Sequence, residues 1–172
     1  MTYQIDPKHS SARFQVRHMM IANVHGDFHS VSGTVEFDPA KPDTGRFEAT
    51  IDVNSLHTGD PQRDGHLKTP DFFDVEKFPT ITFRSNKITS TGGHNYKATG
   101  DLTIRGVTRE ATLDVQGLSD EVTDPWKLQR RGVTAATRIK RKDFGLNFDP
   151  DGAMVSDAVE ITLDVEMTRA GS

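Results

Sequence analysis

The sequence predicts an all-β chain, an antiparallel up-and-down array of about eight strands closed as a barrel or stacked as a sandwich. Three observations predict it. Apolar side chains recur with period two in segment after segment. Each segment is apolar on one face only, as in antiparallel strands with one face toward water. Turn residues separate successive segments at short intervals, which favours a meander.

The elements follow in order. Tyr3 to Asp6 is strand-like. From Ser11 to His18, Ala12, Phe14, Val16 and His18 share one face, and Arg13, Gln15 and Arg17 the other. His25, Asp27 and His29 alternate with Gly26 and Phe28. Between Gly33 and Asp38, Val35 and Phe37 oppose Thr34, Glu36 and Asp38. From Arg46 to Asn54, Phe47, Ala49, Ile51 and Val53 oppose Glu48, Thr50 and Asp52. A short helix then interrupts the β pattern somewhere in 58–73, with Asp60 as N-cap and Pro61 as first helical residue. It ends near Thr69-Pro70, because the residue before a proline disfavours helix. Phe72, Phe73 and Phe78 follow, and Ile81 and Phe83 alternate with Thr80, Thr82 and Arg84.

Four more strands complete the pattern. Ala98, Gly100, Leu102 and Ile104 share a face, as do Ala111, Leu113 and Val115, and then Val133, Ala135, Thr137 and Ile139. In the last, Val159, Ile161, Leu163, Val165 and Met167 oppose Glu160, Thr162, Asp164 and Glu166. Turn signals fall between them at Asp38-Pro39 to Gly45, Gly92-Gly93, Arg105-Gly106, Asp124-Pro125 and Asp149-Pro150-Asp151-Gly152.

Residues 1–172 suit a single domain, with no internal repeat, linker or low-complexity tract. The net charge of −4 is too mild to point to nucleic acid or a membrane surface as partner of the whole molecule. The chain has no cysteine, which excludes disulfides, thiolate chemistry and cysteine-ligated zinc. It opens on Met1 without a basic and apolar leader, and no run is long enough to span a membrane, so the expected location is cytoplasmic.

No motif points to catalysis or to a cofactor. There is no phosphate-binding glycine loop, nucleophile elbow or paired-histidine helix. His9 beside Ser10 and Ser11 makes no triad by adjacency alone. Asp143-Phe144-Gly145 lacks the companion loops of a kinase. Same-face strand positions lie about 7 Å apart, so His25, Asp27 and His29 fit a tetrahedral metal poorly, and no metal site is assigned.

At this level of detail the chain resembles the YceI-like family, polyisoprenoid-binding proteins with a lipocalin-like barrel. The resemblance is carried by YQIDPKHSSARFQVRHMMIANVHGDF, SGTVEFDP, IDVNSLHTGDPQRDGHLKTPDFFDVEKFPTITFRS, GDLTIRGVTREATLDV, DPW and RKDFGLNF, and covers nearly the whole length. One departure is Lys127, which follows Trp126 where the family commonly has glycine. The resemblance implies an extended barrel with an apolar tunnel holding a long isoprenoid-type chain, and a non-enzymatic carrier or storage role. Inward phases then place Phe14, Val16, Phe37, Phe47, Ala49, Ile51, Phe83, Ala98, Leu102, Ile104, Leu113, Ile161 and Leu163 on the tunnel wall. Phe72 and Phe73 are expected to cover it, and His18, in phase with Phe14 and Val16, to point inward toward a polar group of the ligand.

From Lys127 to Lys142 the chain carries basic residues and no acid. This run reads either as a solvated face or as a source of head-group ligands, with Arg130, Arg131 and Arg141 the candidates at a barrel mouth. A homodimer is the default assembly. The competing reading is a filled barrel acting through its surface in stress response or as a scaffold.

Overall fold

The structure is a computed structural model and describes residues 1–171. Its first strands are β1 (Thr2–Ile5), β2 (Ser11–His18), β3 (Ala22–Phe28), β4 (Val31–Glu36), β5 (Arg46–Asp52) and β6 (Leu56–His57). Helix α1 (Pro61–Leu67) separates these from β7 (Thr80–Gly92), β8 (Asn95–Ile104), β9 (Val107–Gln116), β10 (Val122–Thr123), β11 (Leu128–Lys140) and β12 (Ala158–Ala170). All pairings are antiparallel.

Several strands are halves of one bent stave. β1 and β2 both pair with β12, β4 and β3 pair with β1 and β2, and β5 and β6 pair with β4 and β3. β10 continues the edge of β11 beyond β9. Grouped this way, the elements form a closed up-and-down barrel of eight staves. The seam is the β11–β12 ladder, which runs from Leu128↔Ala170 to Lys140↔Ala158. Closure leaves no long unpaired edge, which settles the choice between barrel and sandwich.

The breaks are chemically patched. Between β1 and β2 the Ser10 hydroxyl donates to the Glu166 carbonyl at 3.2 Å and accepts from the Glu166 amide at 3.1 Å, replacing the missing rung. Between β5 and β6 a 3-10 turn (Val53–Ser55) places the Ser55 hydroxyl to accept from the Ser30 amide at the β3–β4 bend. A β-bulge at Ser85/Lys87 of β7 faces Gly100 of β8. A Cβ at Gly100 would stand 2.1 Å from the Arg84 carbonyl oxygen, so the strands approach this closely only because position 100 has no side chain.

The helix begins as expected. The Asp60 carboxylate accepts from the amides of Gln62 and Arg63 and Pro61 sits in the first turn, but the helix ends at Leu67, earlier than Thr69-Pro70. The β8–β9 hairpin turns on Arg105 and Gly106, both left-handed. Lys127 is also left-handed (φ 64°), the conformation that glycine adopts without steric cost. Asp124 holds that turn by accepting from the Trp126 and Leu128 amides, both at 2.9 Å. Lys127 thus takes the left-handed conformation that a glycine there would adopt, at the steric cost a side chain brings.

The barrel core is one large apolar cluster that includes Ala12, Val31, Ala49, Phe83, Leu102 and Leu163. A smaller cluster of Tyr3, Phe37, Leu118 and Met167 lies at one end.

Candidate functional site

The inward phases of the strands leave two apolar cavities stacked along the barrel axis. Along β11, Val133 and Ala135 face one cavity and Thr137 and Ile139 the other, with Arg141 just past the strand end also lining the latter. Along β12 the order reverses, with Ile161 and Leu163 before Val165 and Met167. The larger cavity, about 130 Å³, is walled by Ala12, Phe14, Val16, Phe28, Ala49, Ile51, Ile81, Phe83, Leu102, Ile104, Leu113, Val159, Ile161 and Leu163, among others. It presents only apolar surface. The smaller, about 60 Å³, is lined by residues that include Phe37, Phe47, Ile88, Tyr96, Ala98, Leu118 and Ala135.

Phe83 faces the larger cavity and Phe47 the smaller, and their ring centroids are 5.8 Å apart. The two rings meet on the β5–β7 wall where the two cavities adjoin. Phe14 keeps its place because β3 offers glycine opposite it. A Cβ on Gly26 would come 2.2 Å from the Phe14 ring, so the ring lies flat over the partner backbone.

The ends of the barrel differ in kind. At the end of the smaller cavity Tyr3 is fully buried, and its hydroxyl donates to Glu121 Oε1 at 2.5 Å. Arg131 Nε donates to the same hydroxyl at 2.9 Å, and Arg169 pairs with Glu121 at 2.6 and 2.7 Å. The hydrogen bond from Arg169, reinforced by that from Tyr3, outweighs burial and holds the Glu121 carboxyl at about 2. Beside it, Arg130 Nη1 donates to Asp6 at 2.8 Å and to Glu166 at 2.9 Å, while Nη2 donates to Asp124 at 3.2 Å. The Tyr3–Glu121–Arg131–Arg169 lattice caps this end, while Arg130 and its three carboxylates lie on the outer wall, out of phase with Val165 and Met167.

The other end is closed by a loop-and-helix cap. Leu67 of α1, Phe72, Phe73, Leu146 and Val155 complete the larger cavity. Phe73 packs edge-on against Phe28 at 5.8 Å, and Phe72, His66 and Phe148 form an aromatic cluster with centroids 4.8–5.4 Å apart. Arg105 ties the two cap segments together by donating to the Pro70 carbonyl at 2.9 Å and the Gly145 carbonyl at 3.0 Å. Both phenylalanines are only half-buried and touch the cavity.

Among residues placed on the wall by sequence, Phe14, Val16, Ala49, Ile51, Phe83, Leu102, Ile104, Leu113, Ile161 and Leu163 meet at the larger cavity. Phe37, Phe47 and Ala98 meet at the smaller. His18 does not point inward. It is exposed, because the β2–β3 hairpin outruns the barrel and the phase of Phe14 and Val16 continues past the mouth.

The arginines proposed for a head group are engaged elsewhere. Arg131 belongs to the polar lattice around Tyr3, and Arg130 is held by Asp6, Asp124 and Glu166 on the outer wall. Arg141 is 3% exposed, and its guanidinium donates to the carbonyls of Leu146, Phe148, Asp149, Val155 and Ser156. Position 141 continues the inward phase of Thr137 and Ile139, a signal available in the sequence. Leu67, Leu146 and Val155 carried no such signal, because α1 is too short and polar to show a period and the other two lie in irregular segments.

Asp6, His9 and Glu166 bring ligating atoms within 4.8 Å of one another. The Arg130 guanidinium already bonds to both carboxylates, so a cation occupies that position as a side chain.

Residues 3–167 match the model of the YceI-like domain. The chain belongs to the YceI-like family. The family's Protein YceI from Salmonella newport is 36% identical over 166 residues, covering 95% of this chain and 85% of the relative. Among solved YceI-like folds, BcnA from Burkholderia cenocepacia superposes with a TM-score of 0.85 at 29% identity, covering 94% of this chain and 98% of BcnA. A polyisoprenoid binding domain from Saccharophagus degradans superposes with a TM-score of 0.70 at 18% identity, covering 96% of this chain and 97% of that domain, and shares the fold. As in the sequence reading, no helix among the described residues is long and apolar enough to cross a membrane.

Proposed function

We propose that this protein binds and carries a long-chain isoprenoid lipid, a polyprenyl or an isoprenoid quinone, inside the barrel without transforming it. The observation that carries the reading is the wholly apolar larger cavity beneath a half-buried aromatic cap. A prenyl chain has almost nothing to hydrogen-bond, and a wall without unpaired polar groups suits it. Burial contributes about 0.8 kcal/mol per CH₂, which accumulates along such a chain. Family membership supports the same class of ligand, and the Saccharophagus relative is described as polyisoprenoid binding. Cavities of about 130 and 60 Å³ fall below the roughly 300–1,000 Å³ of most ligand pockets. On this reading a long chain enters past the Phe72–Phe73 cap and widens the interior as it loads.

Organic-solvent extraction of the purified protein followed by mass spectrometry tests the reading most directly. A prenyl lipid recovered in stoichiometric amount is the expected result, and an extract with no lipid from protein expressed in a prenyl-rich host counts against it. Ala49→Trp fills the larger cavity at an overpacking cost of about 1–3 kcal/mol. The folded variant is expected to take up a fluorescent prenyl probe at least about tenfold more weakly, and the parent's uptake to be insensitive to salt. Ala98→Trp overfills the smaller cavity and should shorten the chain accepted. Unchanged uptake by both variants removes these positions from the site.

The cap gives a kinetic prediction. Phe72→Ala/Phe73→Ala is expected to release the probe about tenfold faster, since a cap governs dissociation more than association. Stopped-flow competition measures this. Release at the parental rate in a folded variant makes the segment a core plug.

A further inference from the structure

The β2–β3 hairpin projects beyond the barrel at the capped end and carries the most exposed apolar side chains of that end. Met19, Met20 and Ile21 are 55%, 64% and 79% exposed. Met154, 51% exposed, stands beside them, with the Met19 amide donating to its carbonyl at 2.9 Å. Met19 and Met20 are both left-handed, at φ 51° and 60°. Asparagine and glycine are the residues that fit such a turn without strain, and two methionines do not. The tip therefore keeps apolar side chains in water at a backbone cost.

The one acid of the hairpin, Asp27, sits at its barrel end and accepts from Arg13 Nε at 3.2 Å, away from the tip. From Pro7 to Gly26 the chain has no acidic residue, while it carries Lys8, Arg13 and Arg17, in a protein whose net charge is −4. Arg17 donates to the Met20 carbonyl at 2.8 Å and to Asn23 at 3.2 Å, bracing the tip with a cation at its base. The groove beneath Met20 also contains Arg138 and Lys142, together with Asp151, Asp157 and Glu160. Asp157 accepts from the Lys142 amide. Val16 and Val155, which flank the tip, are also lining residues of the larger cavity.

We infer that the Met19-Met20-Ile21 tip docks on an anionic phospholipid surface, inserting its apolar side chains while Arg17 lies at head-group level. An apolar tip with a cation at its base suits that interface, and docking there brings the cap of the larger cavity to the bilayer from which a prenyl chain would be drawn. The purpose rests on the carrier reading, but the test does not.

The experiment is flotation with vesicles of phosphatidylcholine containing about one-third phosphatidylglycerol. The parent is expected to float with these vesicles and at least about fivefold less with pure phosphatidylcholine. Met20→Asn/Ile21→Ser keeps the charge and relieves the turn, so it should stay folded and lose at least about fivefold in flotation. The chain lacks cysteine, so Ile21→Cys accepts a single environment-sensitive dye. Its emission should shift to the blue on vesicles, whereas the same dye at Thr89→Cys on the outer wall should not. Absence of parental flotation, equal flotation of the double variant, or an unshifted dye at position 21 overturns the inference. Uptake of the fluorescent prenyl probe by the double variant in vesicle-free solution is expected at the parental level, so a failed docking test leaves the carrier reading standing.

Discussion

Arg141→Met is expected to lower the stability of the protein by about 3–5 kcal/mol and its Tm by about 10 °C, read by urea and thermal unfolding. The Arg141 guanidinium reaches five backbone carbonyls: Leu146 at 2.7 Å, Phe148 at 2.5 Å, Asp149 at 2.9 Å, and Val155 and Ser156 at 3.0 Å. These oxygens lie in the irregular segment between β11 and β12, where no ladder supplies donors. Methionine matches the apolar stem and removes every donor, leaving the carbonyls nearest the cavity without partners. Lysine is not a rescue, since one ammonium offers three donors from a single point. Amide exchange should report the damage locally, with Leu146 losing protection before the β11–β12 seam. A loss under about 1 kcal/mol would mean that water replaces the guanidinium at little cost.

Arg130→Met should cost about 2–3 kcal/mol near pH 7, less than the 3–5 typical of a fully buried pair because the arginine side chain is 21% exposed. The substitution leaves Asp6, Asp124 and Glu166 facing one another without their shared cation. The pH dependence carries a definite sign. Burial pushes the Asp6 carboxyl up, but hydrogen bonds from Arg130, His9 and the Lys8 amide outweigh it and hold it at about 2, against an ordinary value of 3.8. Asp124 is also held low, with the Leu128 amide and Arg130 prevailing over burial. A depressed carboxyl stabilises the fold above its unfolded value, and that contribution disappears as the pH falls through the folded one. The gap between parent and variant should therefore be widest near neutrality and shrink from about pH 4 toward pH 2. A gap constant across that range would place the effect in packing.

Much of the fold was legible because one-sided period-two patterning survives wherever a stave is long and straight. β2, β5, β8 and β12 are near-direct readings of Phe14, Ala49, Leu102 and Leu163 in phase. The helix start was readable from Asp60-Pro61, where a cap and a fixed φ act locally. Phase says which face a side chain takes, but not how far the barrel extends. His18 obeyed its phase and still reached water. Arg141 obeyed its phase too, and its meaning lay in five carbonyls belonging to a segment with no period of its own.

The polar lattice around Tyr3 makes the barrel a blind shaft. On the carrier reading proposed above, a chain that enters tail-first past Phe72 and Phe73 would meet Phe37 and Met167 at the far end and leave by the way it came. Its head would then stay at the doorway, and the depth of the shaft would act as a ruler for the longest tail accommodated.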